Sequence, residues 1–113
     1  MEKIIPPPHT KQKQIGFCPV DSGQILLVDP CYLKDWIDNE YDSKHKKQDF
    51  SYAGACAATT NKECGGQLKK GKIPLAVAVE SGWGDGLYPV YVEYVQISEK
   101  DFRPARVIID FGI

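Results

Sequence analysis

The chain has 113 residues, 42% hydrophobic and 26% charged, enough for one core of ordinary globular type. Its 14 basic and 15 acidic residues leave a formal charge of −1, which excludes a global basic field able to hold duplex nucleic acid by its phosphates. No run reaches the ~20 apolar residues of a membrane span, and residues 1–8 have no apolar core of signal-peptide length, so a cytoplasmic chain without membrane contact is expected.

Residues 1–13 read as an arm, because Pro6-Pro7-Pro8 cannot sit in a helix interior or a central strand. From residue 15 to residue 28 the alternation of Ile15, Phe17 and Pro19 with Gly16, Cys18 and Val20 predicts a hairpin turning at Asp21-Ser22-Gly23. Its return run Ile25-Leu26-Leu27-Val28 reads as a strand buried on both faces. Asp29-Pro30 then offers a cap and a first-turn proline. Tyr32, Leu33, Trp36 and Ile37 share one helical stripe, which predicts a helix over about 30–40 with Trp36 as a core anchor.

Residues 41–72 are the least legible. Lys44, His45, Lys46 and Lys47 read as a solvated loop, Phe50–Thr59 as either a strand or a short helix through its alanines, and Gly65-Gly66 as a breaker. Residues 73–80 and 87–97 alternate as strands, 98–103 reads as a turn and 106–111 as a last strand. Val20-Asp21-Ser22-Gly23 and Val79-Glu80-Ser81-Gly82 repeat one turn chemistry, each ending a strand and opening a reversal.

Ser81–Tyr91 concentrates three glycines, one carboxylate and three aromatics between strands. Gly82, Gly84 and Gly86 could present backbone N–H groups to an anion. Trp83, Tyr88 and Tyr91 could stack on a ring, and Asp85 could accept from a sugar hydroxyl or an amine or bind a metal. The structural alternative is a bulged turn in which Asp85 bonds its own backbone. The loop lacks the Gly-Lys-Ser/Thr of a P-loop and lies between strands, unlike a dinucleotide fingerprint, so no cofactor is expected.

Cys31, in the first turn of the predicted helix, would have its thiolate favoured by the helix dipole. A nucleophile there needs a base, and only His9 and His45 exist. A packed thiol beside a capping Asp29 is the alternative. Cys18, Cys31, Cys56 and Cys64 form no Cys-x-x-Cys pair, so buried free thiols are expected rather than a zinc site.

Val20-Asp21-Ser22-Gly23, Asp29-Pro30-Cys31-Tyr32-Leu33, Tyr52-Ala53-Gly54-Ala55-Cys56, Gly66-Gln67-Leu68, Gly84-Asp85-Gly86-Leu87-Tyr88-Pro89-Val90-Tyr91 and Val107-Ile108-Ile109-Asp110-Phe111 follow one another in this order. Together, over residues 15–112, they resemble a family of small proteins of bacteria and their phages, the domains of unknown function of the DUF4241 type. The Gly-Asp-Gly-x-Tyr-Pro-Val-Tyr block carries most of that resemblance. The family has no established activity, so the resemblance implies that the motifs belong together and implies no reaction.

The expectation is a mainly β domain over residues 14–113, a small antiparallel barrel or sandwich of five to seven strands with one short helix. The expected function is non-enzymatic binding of a small polar or anionic, nucleotide-like ligand at Trp83, Gly84, Asp85, Gly86, Tyr88 and Tyr91. In a phage such a module could sequester a host signalling nucleotide. Two alternatives are a hydrolase or transferase using Cys31 with Asp29, and a protein-interaction or inhibitor domain. Self-association is left open.

Overall fold

The computed structural model describes residues 10–113. The proline-rich arm lies outside the described residues as far as His9, and residues 10–13 belong to the first strand instead. The fold is mainly β, with strands β1 (Thr10–Val20), β2 (Gln24–Val28), β3 (Gly65–Lys70), β4 (Ile73–Glu80), β5 (Gly86–Ser98) and β6 (Asp101–Ile109), and, among the described residues, one α-helix, α1 (Tyr52–Thr59). The strands form two small antiparallel sheets, ordered β1-β5-β6 and β2-β4-β3, rather than a closed barrel. The chain divides into two compact units, one of residues 10–19 with Gly86–Ile113, the other Val20–Asp85.

The expected hairpin over residues 15–28 does not form. β1 lies beside β5, while β2 pairs with β4 from Gln24 opposite Glu80 to Val28 opposite Ala76. Alternation marks a stretch as a strand but does not choose its partner. The choice is visible at the turn, where Gly23 adopts φ +69° and its carbonyl accepts from the Ser81 N–H at 3.0 Å. The two repeated turn motifs are therefore bonded to each other at one end of the β2-β4-β3 sheet.

In the Val20–Asp85 unit, β4 is central. Its inward positions are the small ones: Ala76 and Ala78 are buried while Val77 is exposed. That lets α1 approach closely, so that Phe50, Ala55, Ala58, Leu68, Ala76 and Ala78 form the core. Trp36 packs against this core as expected, edge-on to Phe50 with ring centroids 5.1 Å apart. β2 is not buried on both faces: Leu26 and Val28 pack against the core, while Leu27 on the opposite face is exposed.

The helix expected over 30–40 is a 3-10 helix confined to Pro30–Asp35, capped by Asp29 and ended by Trp36 in extended conformation (ψ 134°). Tyr32, Leu33 and Ile37 stay exposed. Only Trp36 of the stripe reaches the core, and an apolar stripe left otherwise exposed does not extend the helix. The α-helix lies at Tyr52–Thr59, the helical of the two readings of that stretch. β3 begins at Gly65-Gly66, where a Cβ on Gly65 would meet the Ala78 carbonyl oxygen at 2.7 Å. The pair read as a breaker is a point of close strand approach.

In the other unit β5 pairs with β6 from Val90 opposite Ile109 to Ser98 opposite Asp101. The turn is thus shorter than 98–103, and the last strand earlier than 106–111. Pro104 sits at a register shift, where no ladder donor is required. Tyr88 packs edge-on to Phe111 at 5.1 Å. Arg106 donates two hydrogen bonds to the buried Glu93, at 2.5 and 2.9 Å, which offsets the cost of burying that carboxylate.

Candidate functional site

The glycine loop is distributed over both units: Trp83, Gly84 and Asp85 belong to one, Gly86, Tyr88 and Tyr91 to the other. In the first, Ser81 is fully buried and its Oγ donates to the Gly84 carbonyl at 2.6 Å. The Gly84 N–H bonds the Ser81 carbonyl. Asp85 Oδ1 accepts from the Gly23 N–H at 2.9 Å, so this carboxylate ties the loop to the turn before β2. Trp83 is 70% exposed. In the second, Tyr88 is buried with its ring over Gly86 and against Phe111, and Tyr91 is half-buried opposite Ile108.

Asp29 Oδ1 accepts from the Cys31 N–H at 3.0 Å, the capping role foreseen for it. Cys31 is exposed, and the short 3-10 helix offers little dipole. Local desolvation, a hydrogen bond and charge from Asp29, and the charge of Asp35 push its thiol above the ordinary value, away from a nucleophilic thiolate. His45, the one described histidine, is held elsewhere, its Nε2 3.0 Å from Asp49 Oδ1. All four cysteines are free thiols, but none is fully buried: Cys18 and Cys56 are half-buried, Cys31 and Cys64 exposed.

The Val20–Asp85 unit carries a cleft of 670 Å³ lined by Lys46, Lys47, Gln48, Asp49, Gln67, Lys69 and Gly71. Two backbone links assemble it: the Lys69 N–H donates to the Gln48 carbonyl at 3.0 Å and the Phe50 N–H to the Lys69 carbonyl at 2.9 Å. They draw the lysine-rich loop alongside β3, so that Lys69 joins Lys46 and Lys47. Three lysines against one carboxylate leave two excess positive charges. Gln67 is held by the Ala76 carbonyl at 2.7 Å.

Asp49 is already engaged, accepting from the Ser51 hydroxyl at 2.5 Å as well as facing His45. Ser51 in turn caps α1 by accepting from the Gly54 N–H at 2.9 Å. Desolvation acts to raise the Asp49 carboxyl, but the hydrogen bonds from Ser51 and His45 and the His45 charge outweigh it and hold it below the ordinary carboxylate value. A depressed carboxyl stabilises the fold above its unfolded pKa, about 3.9, and that contribution is lost as pH falls further. Urea midpoints measured from pH 7 to pH 3 should therefore show wild type losing its advantage over Asp49→Asn as pH drops below about 4. A gap between the two proteins independent of pH would contradict this.

The lysine run at 44–47 is visible in the sequence, but its conversion from loop to cleft depends on Lys69, more than twenty positions away. No local signal points to that pairing.

Among the described residues no group of three His, Cys, Asp or Glu is placed to hold a metal ion, and no helix is long and apolar enough to cross a membrane. The fold and its cleft define a small, mainly β protein of two three-stranded sheets with an open basic groove. Residues 11–100 match the family model described as Protein of unknown function (DUF4241), and the chain belongs to that family. No curated protein and no solved structure matches the chain.

Proposed function

We propose that this protein is a non-enzymatic binding module for a small anionic, nucleotide-like ligand. One observation carries the reading: the 670 Å³ cleft in which Lys46, Lys47 and Lys69 converge. Its volume falls within the ~300–1,000 Å³ of small-molecule sites. The ammonium groups are point charges suited to phosphate oxygens, and the amides of Gln48 and Gln67 border them. The glycine loop, where the sequence suggested the ligand, is the weaker candidate, because Asp85 is bonded to Gly23 and the Tyr88 ring is packed on Phe111. A cytoplasmic setting accords with four unpaired cysteines.

The test is thermal stability in the presence of ATP and, separately, inorganic tripolyphosphate. At a concentration near 100 times Kd a ligand adds about 2.7 kcal/mol to the folded state. Wild type and Trp83→Ala should both gain that stability, and Lys46→Ala/Lys47→Ala/Lys69→Ala should gain none. Loss of the gain in Trp83→Ala, with the triple lysine variant unaffected, would return the site to the glycine loop. No stabilisation of wild type by either probe would reject the reading.

A further inference from the structure

We propose a second binding surface, on the β1-β5-β6 sheet, that takes a short single-stranded nucleic acid by base stacking on Tyr94 and Phe102 and phosphate contact with Lys11 and Lys13. Register puts the aromatics on one face. Gln96 stands opposite Phe102 and Tyr94 opposite Pro104, and residues two apart on a strand share a face. β1 flanks β5 on its other side, and Lys11 and Lys13, also two apart, line one cavity of 230 Å³ with Tyr94 and Phe102. The Phe102 ring is covered by the Lys11 ammonium, 3.9 Å from its centroid. A long, flexible side chain therefore lies over that ring face, and a base can displace it.

The neighbouring charges permit an anion. Asp101 is neutralised by Arg103, which donates to both its oxygens at 3.0 and 3.2 Å, and that pair lies on the opposite face from Phe102. Glu93 is held by Arg106. The turn beyond the aromatics carries Glu99 and Lys100, which balance. Lys13 makes no ion pair among the described residues.

Size and layout favour a strand over a free nucleotide. The cavity is smaller than the ~300 Å³ at which small-molecule pockets begin, and it opens along an extended sheet. Lys11 and Lys13 are separated by about 6.7 Å along β1, a spacing suited to successive phosphates of an extended strand. Stacking platforms flanked by cations bind single strands with little sequence preference. Two lysines are too few to hold a duplex through phosphate contacts alone.

The experiment is fluorescence anisotropy with a labelled oligothymidylate of about eight nucleotides, at several salt concentrations. Wild type should bind. Phe102→Leu and Tyr94→Leu, checked for unchanged circular dichroism, should each weaken binding about ten- to a hundred-fold. Lys11→Gln/Lys13→Gln, at exposed positions that should not disturb folding, should lower the salt slope of log Kd by about 1.4. Lys46→Ala/Lys47→Ala/Lys69→Ala should bind the oligomer like wild type, which separates this surface from the anion cleft. The proposal is overturned by any of four results: no binding by wild type at low salt, equal binding of duplex, displacement by thymidine monophosphate as effective as by unlabelled oligomer, or an unchanged salt slope in the double lysine variant.

Discussion

Replacing Leu68 with alanine is expected to destabilise the Val20–Asp85 unit by about 3–5 kcal/mol, at the upper end of such substitutions. Leu68 is 0% exposed and is the largest side chain buried to that degree. Its neighbours Ala55, Ala58, Ala76 and Ala78 are alanines on a helix and a central strand. Their positions are set by backbone hydrogen bonds, and they have no side chain able to swing into the space left. Of the buried cluster Phe50 alone has a large side chain that could shift toward the gap, so the cavity closes only in part and its cost adds to the lost transfer energy. Since total stabilities run at about 5–15 kcal/mol, the variant should sit near the edge of folding. Urea unfolding at constant m-value measures the loss. A cost below about 1.5 kcal/mol would mean that the alanine-walled core can collapse around the gap.

The second large effect runs against helix propensity. Gly54 lies inside α1, where exchange of glycine for alanine ordinarily stabilises by about 1 kcal/mol. Here a Cβ would fall on the Asp49 carbonyl oxygen and close to its Oδ1, nearer than the 3.0 Å that real Cβ contacts keep. The carbonyl is main chain, and the carboxylate is pinned by Ser51 and His45, so neither yields cheaply. Overpacking of this kind costs about 1–3 kcal/mol or more, and displacing Asp49 adds loss of the Ser51 contact. Gly54→Ala should lower the melting temperature, with net destabilisation of at least about 2 kcal/mol. A raised melting temperature would show that Asp49 does not crowd the first turn of α1.

These residues show how far the sequence could be read. Strand existence was legible where side chains alternate, at 73–80 and 87–97, because period two reports the pleat directly. Trp36 as an anchor and Asp29 as a cap were legible because each depends on neighbours a few positions away. Strand partnership was not: β1 and β2 look like a hairpin, yet each finds its mate about fifty positions or more further on. Gly65-Gly66 looks like a break because glycine signals both turns and close approach, and only the Ala78 carbonyl distinguishes the two. The basic cleft was half legible, its lysine run plain and its third lysine supplied by β3.

The two sheets do not close, so each keeps outer strands whose rims are of the kind that recruit foreign strands, although the Gln48–Phe50 segment covers part of β3 at Lys69. The outermost strands carry guards of their own: alternating lysines near the start of β1, Pro104 and a register shift in β6, a five-residue β2, and Lys69-Lys70 at a register shift in β3. Cations, proline and irregularity thus do by repulsion and distortion what ring closure achieves by removing ends altogether. Protection of the β1 edge and any recognition by Lys11 and Lys13 are consequently written on the same two residues, so a change at either affects both.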